Sequence, residues 1–105
     1  NLRIQRAIVW CSLLSMNLPK ADFYLQTIIE EQPEFSDYLN LAYVKWLNKD
    51  MLAAVSAIRA AKSMSNMNQQ LIFERIQQDA GMLKNAGIVL SDVYLMLESL
   101  RKNLI

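Results

Sequence analysis

Three kinds of side chain in this 105-residue sequence could carry chemistry: the single thiol of Cys11, the carboxylates Glu30, Glu31, Glu34 and Asp37 around Pro33, and the indoles Trp10 and Trp46. A nucleophilic thiol needs an activating base, and the sequence has no histidine. Cys11 also falls on the apolar stripe Ile4, Ala7, Ile8, Cys11, Leu14, where a buried structural thiol is the expected role. One cysteine excludes a thiolate zinc cluster, and no histidine is available as a metal ligand. The acidic group lacks the alternating oxygen ligands and the central glycine of a calcium loop, so it reads as a solvated turn. No glycine-rich phosphate cradle is present. The chain is therefore expected not to be an enzyme, and no catalytic residue, metal site or cofactor is assigned.

Composition narrows the class further. Eleven basic residues against 10 acidic ones give a net charge of +1, without the clustered basic face that nucleic acid would require. Hydrophobic residues make up 53% of the chain, which excludes a disordered tail. No apolar run approaches the ~18 to 20 residues of a membrane span. A lone cysteine fits a reducing, cytoplasmic setting. The N-terminal stretch is amphipathic rather than a signal peptide, and the absence of an initiator methionine suggests residues upstream of Asn1.

With only 2 glycines and 2 prolines there is little turn chemistry for β-hairpins, and apolar residues recur at three- and four-residue steps. The expected fold is all-α, about six helices in a single domain spanning residues 1–105. A first hairpin is predicted over 2–32, broken by Asn17 with Pro19 in the first turn of its second helix. The next covers 35–63, with Ser36 as N-cap, Asp37 set against the helix dipole and Asp50 opening its second helix. After the linker Ser63–Asn68, a capping or degenerate hairpin covers 69–104. Its first helix stops at Asn85-Ala86-Gly87 and its last is capped by Ser91, carrying Val93, Met96, Leu97, Leu100 and Leu104.

The stretch Phe35 to Ala61 carries a more specific pattern: Tyr38, Leu41 and Ala42, then Ala54, Ile58 and Ala61, across the polar break Asn48-Lys49-Asp50. Ala21, Leu25, Ile28 and Pro33 precede Ala54, Ile58, Ala61 and Asn66 by one constant interval. This resembles the tetratricopeptide repeat, whose period of about 34 residues is one longer than that interval and in which small residues let paired helices approach closely. The copies depart from that signature at Gln5, Val9, Ser12 and Lys45, and the usual turn glycine is replaced by Met16 and Lys49.

The resemblance implies a short right-handed superhelix of stacked antiparallel hairpins whose first helices line a concave groove. Carried over residue by residue, the groove positions are Arg3, Arg6, Trp10, Leu13 and Leu14 in the first repeat, and Ser36, Leu39, Tyr43, Trp46 and Leu47 in the second. An open groove with Trp10, Leu13, Leu39, Tyr43 and Trp46 would bind an amphipathic helix or apolar segment of a partner protein. Replacing Trp46 and Tyr43 together by alanine should then weaken binding more than about tenfold while the fold survives. The alternative is that the last helix fills the groove. In size and repeat count the chain is similar to the small tetratricopeptide-type chaperones of bacterial type III secretion, which hold a client helix, often with a small cochaperone. A structural reading also follows: a segment of a larger helical-repeat scaffold mediating complex assembly.

Overall fold

The computed structural model describes residues 1–65 and 68–102 and is all-helical over them. Six helices follow in order: α1 (Leu2–Leu14), α2 (Leu18–Glu31), α3 (Phe35–Leu47), α4 (Met51–Ser65), α5 (Gln69–Asn85) and α6 (Val93–Arg101). Phe35 and Met51, which start α3 and α4, follow Leu2 and Leu18, which start α1 and α2, by the interval that separates Ala21 from Ala54. The period seen in the sequence thus sets the helix boundaries. Residues 66, 67 and 103–105 lie outside the described residues. Part of the expected linker, the Asn66 match to Pro33 and Leu104 fall there.

The two hairpin turns are the same turn. Met16 and Lys49 occupy equivalent positions of the two copies, and both adopt left-handed backbone, with φ of 58° and 64°. In the first, the N–H of Met16 bonds to the carbonyl of Leu13 at 3.0 Å and that of Asn17 to Ser12 at 2.8 Å. In the second, Lys49 bonds to Trp46 at 2.9 Å and Asp50 to Lys45 at 2.8 Å. These paired bonds satisfy carbonyls that the helix end would otherwise orphan. The end of α5 repeats the motif, from Gly87 to Lys84 and from Ile88 to Leu83, with Gly87 at φ 83°. Of the three, only the last has the residue that adopts this conformation freely. Lys49→Gly is therefore expected to raise stability by about 1 kcal/mol. A urea midpoint that stays put or falls would contradict this.

The core runs through all six helices. Ala42, Ala54 and Ala61 are fully buried, as are Ala21, Leu25 and Ile28 at the matching positions of the first hairpin. Small side chains thus bring α3 and α4 together in the most extensive helix pairing of the chain. Asp50 accepts from the Ala53 N–H at the start of α4, as the sequence suggested, and Asn17, which the sequence marked only as a break, caps α2. Two caps differ. Glu34, not Ser36, is the N-cap of α3, with Asp37 accepting from the Glu34 N–H at 2.8 Å. Asp92, in left-handed backbone, and not Ser91, precedes α6.

The largest departure concerns α1. Its buried residues are Val9, Ser12 and Leu13, whereas Ile4, Ala7 and Cys11 are exposed and Ile8 is half-buried. The stripe expected to be covered faces outward, and Cys11 is not a core thiol. Apolar residues occupy both sides of this helix, so its periodicity alone favoured neither.

Candidate binding groove

The first helices of the three hairpins converge on one open cavity of about 280 Å³. From α1 it receives Arg6 and Trp10; from α3, Ser36, Asp37 and Asn40; from α5, Arg75, Asp79 and Met82. Trp10 is half-buried and Met82 is 44% exposed, so both offer apolar surface to the opening.

Two guanidinium–carboxylate pairs frame that surface. Arg6 donates through Nε to both Asp37 oxygens, at 3.0 and 3.1 Å, and through Nη2 to Oδ2 at 3.0 Å. Its Nη2 also reaches the Gln32 carbonyl at 2.9 Å, and Nη1 lies 3.6 Å from Glu34. The hydrogen bond to Asp37 holds the Arg6 pKa above its ordinary value against the opposing cost of burial. Arg6 therefore pins the start of α3 to α1 and has little left for a ligand.

Arg75 is placed differently. Its Nε bonds to Asp79 at 3.2 and 3.3 Å, and its guanidinium carbon lies 5.7 Å from the centre of the Phe35 ring. Among the described residues, neither Nη group makes a hydrogen bond, and the side chain is 40% exposed. A planar fork of donors held at its base and open at its tip is suited to a carboxylate. Asp79 is oriented from its other side by the Tyr43 hydroxyl, which donates at 2.6 Å. Burial, reinforced by the charge of Asp79, pushes the Tyr43 phenol well above its ordinary pKa, so it stays a neutral donor at physiological pH.

The positions carried over from the repeat divide. Arg6 and Trp10 line the cavity, and Arg3 is exposed near the start of α1. Leu47 is half-buried against the core. Leu13, Leu39 and Tyr43 are fully buried and Trp46 is 2% exposed, so these four belong to the core and not to an open apolar surface. The reason is local to the third hairpin: Tyr43 is engaged by α5 through Asp79, and the Trp46 indole N–H donates to the Ser91 carbonyl at 2.9 Å. The segment between α5 and α6 thus closes over the indole. Conversely, Asn40, Asp79 and Met82 were not singled out in the sequence, and Arg75 reads there as one of the spread cations of solvated faces, whereas it lines the cavity; the signal present was the four-residue spacing of Arg75 and Asp79.

No protein-family profile, characterised protein or solved structure matches the chain. Among the described residues no cluster of potential metal ligands occurs, and no helix is long and apolar enough to cross a membrane.

Proposed function

We propose that the chain is a protein-binding module whose inner groove holds a short segment of a partner polypeptide. Trp10 and Met82 take an apolar side chain, and Arg75 takes a neighbouring carboxylate. The observation that carries this reading is the convergence of three successive first helices on one open cavity with an open guanidinium fork at its edge. Client holding by a small cytoplasmic secretion chaperone is one form of the same proposal, with its contacts moved. The anchors become Trp10, Met82 and Arg75, because Tyr43 and Trp46 already serve the core.

Trp10 is half-buried, so a partner can cover at most roughly 90 Å² of it, which at ~25 cal/mol per Å² assigns it about 1–2 kcal/mol of binding free energy. Peptides selected on the protein from a random library should therefore pair an aliphatic or aromatic residue with a nearby acid. Trp10→Ala and Arg75→Gln should each weaken the selected peptides at least tenfold without changing the helical circular dichroism. Selected peptides whose affinity neither substitution alters, or failure to enrich any, would remove the groove from consideration.

A further inference from the structure

The outward face of α1 is a second surface, distinct from the groove. Ile4, Ala7, Ile8 and Cys11 border a depression of about 330 Å³ that continues past Ser12 and Ser15 to Asn17 and Lys20 at the start of α2. No charged residue of α1 interrupts the stripe, and Ile4 is 61% exposed.

The chain's own quasi-repeat indicates what belongs there. Advancing by one repeat takes Ile4, Ile8 and Cys11 to Asp37, Leu41 and Val44 on α3. Asp37 and Val44 are buried, and Leu41 is packed against the core. α3 is flanked there by the preceding hairpin, with α2 packed against it and Asp22 of α2 lying 3.9 Å from Lys45. The position of Lys45 corresponds to Ser12, and on α1 the nearby cation is Lys20. Lys20 makes no side-chain ion pair or hydrogen bond among the described residues, nor does Arg3 near the other end of the stripe.

We infer that this face docks an amphipathic, carboxylate-bearing helix supplied from outside residues 1–105, laid on α1 as α2 lies on α3, with aliphatic side chains over Ile4, Ile8 and Cys11 and an acidic residue reaching Lys20. The charge pattern separates this occupant from a second copy of the chain. An antiparallel pair of α1 helices would set Arg3 of one copy toward the Lys20 end of the other, like charge against like. A helix bearing carboxylates meets both cations favourably.

The test uses a defined probe: a fluorescent peptide with the sequence of residues 17–32, cross-linked between positions 26 and 30 so that it is helical in solution. Both positions are exposed in the protein and leave the packing side of the helix intact. Saturable binding is expected, together with protection of the Cys11 thiol from alkylation in step with occupancy. Ile8→Glu should weaken binding at least tenfold, and Lys20→Glu several-fold with loss of its salt dependence, whereas Trp10→Ala should leave it unchanged. Absence of saturable binding at millimolar peptide, or binding indifferent to Ile8→Glu, overturns the inference. So does a concentration-dependent dimer of the protein that Ile8→Glu dissolves, which would assign the face to a second copy.

Discussion

Trp46→Ala is expected to cost about 3–5 kcal/mol of folding stability, a large part of what a domain of this size holds in reserve. The indole is 2% exposed, so truncation removes a large apolar side chain from a closed site. It also strips the Ser91 carbonyl of the N–H that reaches it at 2.9 Å across the boundary between the second and third hairpins. Trp46→Phe should retain most of the packing and lose mainly the hydrogen bond, about 1–2 kcal/mol. Tyr43→Ala belongs with the severe class, since it leaves a cavity and deprives buried Asp79 of a donor. Urea unfolding followed by far-ultraviolet circular dichroism measures all three. A Trp46→Ala protein within about 1 kcal/mol of the parent would contradict the assignment of this indole to the core. It follows that loss of partner binding in a Trp46→Ala, Tyr43→Ala protein would report unfolding rather than a missing contact. Trp10 is the aromatic on which a binding test is interpretable.

Helices were legible because each amphipathic face has the 3.6-residue period, and the two complete hairpins because Ala21, Leu25 and Ile28 recur as Ala54, Ile58 and Ala61. The turn positions were legible too: Met16 and Lys49 stand where glycine is usual, and both adopt the conformation that glycine would. What stayed hidden required knowing how far the third hairpin reaches. Tyr43 and Trp46 lie on the side of α3 that a two-hairpin unit would leave open. Only the approach of Asp79 and Ser91 turns that side into interior. The path there passes through residues 88–92, where Ile88 and Leu90 are buried and Asp92 takes left-handed backbone, a conformation that aspartate adopts more readily than most residues but that its presence alone does not announce. The wrong face of α1 has another origin. A helix with Ile4, Ile8 and Cys11 on one side and Val9 and Leu13 on the other carries two apolar faces, and α2 and α3 cover only one. The polar groove was hidden because Arg6 and Asp37 are far apart in the chain: Arg6 reads as a groove cation and Asp37 as a residue of a solvated turn set against the α3 dipole, and nothing local pairs them.

That pair sets the other large effect. Asp37→Ala should cost about 3–5 kcal/mol, the usual result of removing one member of a buried ion pair. Asp37 is 1% exposed and accepts from Arg6 Nε and Nη2 and from the Glu34 N–H, so one side chain joins α1 to α3 and caps the latter. The converse variant, Arg6→Met, leaves the buried carboxylate without its cation and holding the Glu34 N–H, while the methionine preserves the packing of the arginine stem. Combining Arg6→Met with Asp37→Asn removes both charges and keeps a side chain that can still accept the capping bond. The double variant should therefore be more stable than Arg6→Met alone, with a coupling of at least about 1 kcal/mol in a double-mutant cycle. Additive losses would show that Arg6 and Asp37 act independently. The lining of the groove would then not be held in place by this pair.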